Sequence, residues 1–233
     1  MIKIKDLCIV IDKDILVIGD IHIGYEEALN KEGVLIPRLQ FEDIVKRLER
    51  ILGKRKFRTI VVNGDLKHEF GGISRQEWRQ SILLIDFLAK HAHKIVLVKG
   101  NHDTILGPIA KKKNLKIVDD FRIKDILIVH GHKELPDDKL KKIKTIIIGH
   151  EHPAISVREG LRAERFKCFL LGRYKKRKLI VMPSFNPILE GTDVTKERLL
   201  SPFIKRIEDF NAIAISDNGE AFDFGKIKEL KNV

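Results

Sequence analysis

The chain predicts a mixed α/β (α+β) protein in which a βαβαβ half is followed by a β-rich half, and three observations carry that expectation. Short runs rich in Ile and Val, each bounded by turn residues, recur through the first two thirds and mark buried strands. Two stretches between them repeat apolar residues at helical spacing. After Asn114 the helical period gives way to short strands and tight turns. At 233 residues, with no linker to divide it, the chain is expected to form a single domain over 1–233.

Each element follows from its residues. Leu7 to Ile11 and Ile15 to Ile18 flank Asp12-Lys13-Asp14, the turn of a hairpin. A loop containing Gly33 and Pro37 comes next. Leu39, Ile44, Val45, Leu48, Ile51 and Leu52 then predict a helix, entered after a proline and closed by Gly53. Thr59 to Val62 is a strand, parallel to the first if that helix is the crossover. A second helix from about Ser74 to Ala92 places Trp78, Ile82, Ile85 and Leu88 on one face and leads to strand Lys94 to Val98. Beyond Asn114, strands are expected at Lys116 to Val118, Phe121 to Ile123, Ile126 to Val129, Thr145 to Ile148, Ala154 to Arg158, Phe166 to Leu171 and Leu179 to Met182. Ala212 to Ile215 and Ala221 to Phe224 flank Asp217-Asn218-Gly219, where Asn-Gly suits a type I′ turn.

The chemistry lies where strands end. Ile15 to Ile18 runs into Gly19-Asp20-Ile21-His22, Ile60 to Val62 into Asn63-Gly64-Asp65, and Ile95 to Val98 into Gly100-Asn101-His102-Asp103. Ile126 to Val129 runs into His130-Gly131, and Ile146 to Ile148 into Gly149-His150-Glu151-His152. Strand ends are the usual ligand sites of layered α/β proteins, and glycine lets the backbone turn sharply and approach an ion. Asp20 and His22, two apart in extended chain, can share a face and grip one ion. His150 and His152 can do the same, or be ordinary loop residues. Oxygen and imidazole donors together suit manganese, iron, cobalt or zinc, whereas an all-oxygen set would suggest magnesium or calcium.

Composition narrows the partners. The formal charge of +12 suits a polyanion. It is concentrated between Arg158 and Lys178, where nine basic residues face only Glu159 and Glu164. Shorter basic runs lie at Lys111 to Lys113 and Lys139 to Lys144. The plain alternative is a solvated surface in a chain with only three Gln and two Met, a bias of heat-adapted proteins. No run approaches the roughly 18 apolar residues that cross a bilayer, so no membrane partner is expected. The start lacks a long apolar segment, and a cytoplasmic location follows as the expectation. Cys8 and Cys168 are too few for a disulfide framework and read as plain thiols.

In their order, Asp20-x-His22, Gly64-Asp65, Gly100-Asn101-His102-Asp103, His130 and Gly149-His150-x-His152 resemble the signature of the calcineurin-like metallophosphoesterases. Within that superfamily, the Gly64 to His68 run, Gly-Asp-Leu-x-His, is similar to small phosphoesterases related to SbcD-type DNA repair nucleases. The resemblance implies a sandwich of two mixed β-sheets flanked by helices. It also implies two divalent transition-metal ions, manganese first, with iron, cobalt, nickel or zinc as alternatives. Asp20, His22 and His152 would bind one, Asn101, His130 and His150 the other, and Asp65 would bridge them. Two such ions hold a shared hydroxide and clamp the phosphoryl oxygens during in-line attack. His102 would stand outside the metal shell and protonate the leaving oxygen or stabilise the transition state.

The expected function is hydrolysis of phosphodiester bonds in nucleic acid or a nucleotide. One alternative keeps the chemistry on a phosphomonoester or a small cyclic or dinucleotide diester. Another is a non-catalytic binding or scaffold protein on the same fold, against which the full ligand set and His102 argue. His68 and His132 either touch substrate or serve as hydrogen-bonded neighbours of ligands. His91 and His93 close a helix and read as structural. Asp103 either orients a ligand or caps the segment that follows. Pro183 to Pro187 is expected to be a rigid loop.

Overall fold

The computed structural model describes residues 1–104, 106–113, 115–160 and 162–230, without the side chains of residues 112 and 159. Asn114, where the pattern was expected to change, lies outside the described residues, as does the side chain of Lys112 in the first short basic run.

The first half comprises β1 (Ile2–Lys5), β2 (Cys8–Ile11), β3 (Ile15–Gly19), α1 (Tyr25–Lys31), α2 (Gln40–Leu52), β4 (Phe57–Asn63), α3 (Arg75–Lys90), β5 (Ala92–Val98), α4 (Gly107–Lys113) and β6 (Lys116–Val118). Its strands form a six-stranded sheet in the order β1-β2-β3-β4-β5-β6. The first three strands are antiparallel and β3 to β6 are parallel, so α2 and α3 are crossovers as the sequence predicts. Ile44, Leu48, Ile51 and Leu52 of α2 and Leu84, Ile85 and Leu88 of α3 are buried in the same core as β2 to β5. Ser74 caps α3 reciprocally with Glu77, so both ends of this Ser-x-x-Glu box satisfy an otherwise orphaned backbone N–H.

The second half comprises β7 (Asp120–Ile123), β8 (Ile126–Val129), β9 (Thr145–Ile148), β10 (Pro153–Glu159), β11 (Arg162–Tyr174), β12 (Arg177–Val181), β13 (Thr192–Asp193), β14 (Asn211–Ile215), β15 (Ala221–Lys226) and α5 (Ile227–Leu230). They form a nine-stranded mixed sheet in the order β13-β10-β11-β12-β9-β8-β7, with β14 and β15 joined through β11. Alternation along its central strands divides two cores, as the two-residue period of a strand requires. Ile126, Ile128 and Ile147 pack with the first sheet, whereas Leu127, Val129, Ile146 and Ile148 pack with Phe203, Phe210 and Ile227. The result is two mixed sheets flanked by helices. Among the described residues no helix is long and apolar enough to cross a membrane.

The structure departs from the sequence reading in local ways. Strand β1 and helices α1 and α4 were not anticipated. Helix α1 starts from Gly24 with no side-chain cap and is only seven residues long, so it carries neither periodicity nor a start signal. The Asp12-Lys13 turn has positive φ at both residues, 51 and 62°, as type I′ requires. At Asp217-Asn218-Gly219 only Gly219 has positive φ, and its N–H bonds Ser216 O. That turn is therefore a three-residue loop with a left-handed glycine rather than a two-residue type I′ turn.

The basic stretch from Arg158 to Lys178 is also not one surface. Lys178 pairs with Thr145 and Val181 with Ile148, so Lys175 to Lys178 lie at the end of the sheet opposite His150 and His152. Arg158 and Arg162 sit at the β10–β11 hairpin tip, which runs outward from His152.

Candidate metal centre

All the clusters expected to carry chemistry meet at one end of the two sheets. Asp20 and His22 follow β3, Asp65 follows β4, Asn101 and His102 follow β5, His130 follows β8, and His150 and His152 follow β9. The loops interlock through the backbone, since Ile21 N and His22 N both donate to Asp65 O at 3.1 and 2.8 Å. Asp20, His22, Asp65, His150 and His152 all have positive φ, between 27 and 66°. Non-glycine residues rarely adopt this conformation, and such strain gathers at functional sites. Close approach explains two of the glycines. A Cβ on Gly100 would overlap Asp65 Oδ1, and one on Gly149 would overlap Asp20 Oδ2.

Among the described residues, three groups of side chains bring ligand atoms within 4.8 Å of one another. Asp20, His22 and His152 form one, the trio that the family resemblance assigns to a single ion. His22 Nε2 and His152 Nε2 stand 3.3 Å apart, and His152 Nε2 is 3.5 Å from Asp20 Oδ2. Asp20, Asp65 and His130 form the second. Asp65 lies between the sets, with Oδ2 3.3 Å from His130 Nε2 and 3.7 Å from His22 Nε2. Asn101 Oδ1 is 2.8 Å from His130 Nε2. His150 joins none of the three groups; its N–H donates to Asp20 Oδ2 at 2.8 Å and its ring lies 4.9 Å from that of His130. The third group, His22, His68 and His102, was not anticipated.

Electrostatics bear on whether a cation fits here. Asp20, Asp65 and His130 are buried. Burial alone lowers the His130 imidazole, yet the charges of Asp20 and Asp65 outweigh it and raise it to about 10. Burial opposes ionisation of Asp20 and Asp65, but His130 holds both below the usual carboxylate range. The pocket thus demands positive charge. His22 is lowered to about 3 by burial and His152, and His150 to about 4 by burial and His130, so both are neutral at pH 7 with a lone pair to offer. Asp20 Oδ1 and His130 Nδ1 are 3.2 Å apart, yet both are buried without a hydrogen-bond partner. Two carboxylates, an amide oxygen and neutral imidazoles around orphaned buried atoms fit a divalent transition metal, which would supply the charge and leave His130 neutral.

The surrounding residues hold this arrangement. Asp103 accepts Leu66 N and Gly100 N, both at 3.0 Å, and ties the Asp65 loop to the Asn101 loop. Burial and Asp65 raise its carboxyl to about 7. The Pro183 to Pro187 loop borders the centre from the second sheet. Ser184 Oγ donates to Asp20 O at 2.8 Å, Asn186 Nδ2 to His22 O at 3.3 Å, and Lys167 Nζ to the carbonyls of Ser184 and Asn186. Gln40 Nε2 also donates to His22 O, at 2.8 Å. His68 stacks on His102 with ring centroids 5.4 Å apart. His132 lies 5.2 Å from His130 in a cleft of about 490 Å³ that Asn101, Lys99 and Lys133 also line. His91 caps α3 and packs on Phe87, and His93 is exposed.

A search of curated proteins finds no match to the chain. Among solved structures it is similar to the nuclease MPE of Pseudomonas putida, with 17% identity, 96% of this chain and 94% of that one covered, and a TM-score of 0.66. It is also similar to Vps29 of Entamoeba histolytica complexed with zinc (18% identity, 91% and 99% covered, TM-score 0.40). For vacuolar protein sorting 29 of Cryptosporidium parvum the values are 12% identity, 91% and 97% covered, and a TM-score of 0.42. The first of these shows that the fold is shared. The family model for calcineurin-like phosphoesterases matches residues 13–214, most of the chain and every cluster described above, and the chain belongs to that family.

Proposed function

We propose that this chain is a dimetal phosphoesterase that hydrolyses phosphodiester bonds in nucleic acid or nucleotides. The observation that carries this reading is the convergence of a second carboxylate, an amide oxygen and the imidazoles of His22, His130 and His152 around Asp65, with the His150 ring beside that of His130 and His102 next to Asp65. Asp20, His22 and His152 would hold one ion, Asn101, His130 and His150 the other, and Asp65 both. Manganese is the first choice among the metals that such mixed donors suit. When bound, the ions supply Lewis acidity toward water and the phosphoryl oxygens.

The chain's own groups do the rest. Asp65 Oδ1 accepts the backbone N–H of His102 at 2.9 Å, which ties the carboxylate to the His102 loop. His102 Nδ1 donates to the His68 carbonyl, which leaves Nε2 to face the leaving oxygen; it delivers a proton there when the ring enters the step as the imidazolium, and the ring then returns to the neutral Nδ1–H form. A net charge of +12 supports a polyanionic substrate, and the fold is shared with a Pseudomonas protein described as a nuclease. The cleft of about 490 Å³ beside Asn101 favours a second reading, a small cyclic or dinucleotide diester, because it is the size of a small-molecule site.

A metal-dependent screen tests the reading. Purified protein loaded with manganese is assayed on bis-p-nitrophenyl phosphate, p-nitrophenyl phosphate, a cyclic dinucleotide, and single- and double-stranded DNA and RNA. Cleavage of diesters ahead of the monoester, abolished by chelator, is the expected result. Turnover of the monoester alone contradicts it.

A further inference from the structure

The catalytic end of the molecule carries an exposed aromatic ring that metal binding and proton transfer do not use. Phe70 is 66% exposed, and its ring lies 5.4 Å from that of His102 at an interplanar angle of 88°. It is the outermost of a run of rings. Tyr25 packs edge-on against His68 at 4.8 Å, His68 stacks on His102, and Phe70 follows. Isolated exposed apolar residues are ordinary on protein surfaces. Two features set this one apart, its place beside His102 and the way its loop is held.

That loop is pinned on both sides of Phe70. Glu77 Oε1 accepts His68 N and Glu69 N at 3.1 and 2.7 Å, and Oε2 accepts Ser74 N at 2.8 Å. Lys67 Nζ bonds Glu69 O. After Phe70 come Gly71 and Gly72, and a side chain on Gly71 would meet nothing within 4 Å. A ring on a pinned loop, next to a glycine that leaves space open, loses little entropy when a flat partner covers it.

We propose that Phe70 is the stacking platform for a nucleobase next to the scissile phosphate, and so selects base-bearing diesters. This rests on the phosphodiesterase reading above. A phosphate in reach of His102 carries its nucleoside about a sugar's width away, and the Phe70 ring, 5.4 Å from that of His102, is within range of such a base. Any base has a π-face, so the platform gives preference for nucleotides without preference for sequence.

The test compares a short thymidine oligonucleotide with an abasic backbone of equal length and charge, on manganese-loaded wild type, Phe70→Ala, Phe70→Leu and Phe70→Trp. The readout is the ratio of kcat/KM for the two substrates. Wild type is expected to favour the base-bearing strand by roughly 5- to 150-fold, the range that one stacked base provides. That ratio falls toward one in Phe70→Leu, which keeps apolar bulk and lacks a ring, and in Phe70→Ala. Phe70→Trp retains it, and its indole emission is quenched by the base-bearing strand more than by the abasic one, with wild type supplying the Trp78 background. An unchanged ratio in Phe70→Leu overturns the proposal. So does a wild-type enzyme that cleaves a small aryl diester but neither strand. The retained diesterase activity then shows that the nucleotide assignment has failed and the chemistry has not.

Discussion

Replacing Glu77 by alanine removes one side chain that accepts from three backbone donors, two of which have no other acceptor. Its carboxylate accepts His68 N, Glu69 N and Ser74 N at 3.1, 2.7 and 2.8 Å, and the residue itself is buried. A buried donor left without an acceptor costs about 1–3 kcal/mol. His68 N keeps its bond to Ile23 O at 2.9 Å, so two donors, Glu69 N and Ser74 N, are orphaned. Both are only half-buried and water reaches them in part, so the lower end applies and the loss is about 2 kcal/mol. For a chain of this size about 1 kcal/mol lowers Tm by roughly 2–4 °C, which places Glu77→Ala roughly 4–8 °C below wild type. Glu77→Gln keeps an oxygen for Glu69 N but turns an amide NH₂ toward Ser74 N. It should lose about half as much. Thermal melts at fixed metal concentration read both variants. A fall of less than about 2 °C in Glu77→Ala, or equal falls in the two, refutes this account of how the His68 to Ser74 loop is held.

Three further variants test the chemistry and the substrate surface. His102→Ala is expected to keep the fold and bound metal and to lose at least about tenfold in turnover on diesters with poor leaving groups, but less on an activated aryl ester; equal losses assign His102 an electrostatic role instead. Replacing Arg158 and Arg162 with Ser at the outward hairpin tip is expected to reduce the log-log salt slope of nucleic-acid binding by about 0.7 to 0.9 units per lost contact. Lys175, Lys176, Arg177 and Lys178 replaced with Ser leave that slope in place, because this turn is at the far end of the sheet and Lys175 and Arg177 already bond Asp137 and Leu140 O. The reverse pattern in a salt titration would show that substrate lies across the other end.

The strands and their terminal clusters were legible because each is local. An apolar run followed by Gly-Asp or Gly-Asn-His states its own ending, and parallel pairing then brings Asp20, Asp65 and Asn101 to one edge. The βαβαβ half followed from helix periods in α2 and α3. What stayed hidden depends on contacts across long sequence separations. Ser184 and Asn186 reach back 164 residues to Asp20 and His22, and nothing in Pro183 to Pro187 announces that. The split of the basic stretch follows from pairing of β12 with β9, not from composition. Glu77 did carry a signal, since Ser74-x-x-Glu77 is a capping box, but its reach to His68 and Glu69 follows only from the fold. Helix α1 had no such marker at Gly24.

The central claim is that seven side chains hold two ions with Asp65 common to both, and metal stoichiometry by equilibrium dialysis with elemental analysis tests it most directly. Wild type is expected to bind about two manganese ions per chain, as a two-metal phosphoesterase requires. Asp65→Asn should weaken both. His22→Ala and Asn101→Ala should each weaken mainly one, with close to one ion retained. A wild-type chain that binds no transition metal, or an Asp65→Asn chain that keeps both ions at wild-type affinity, contradicts the account.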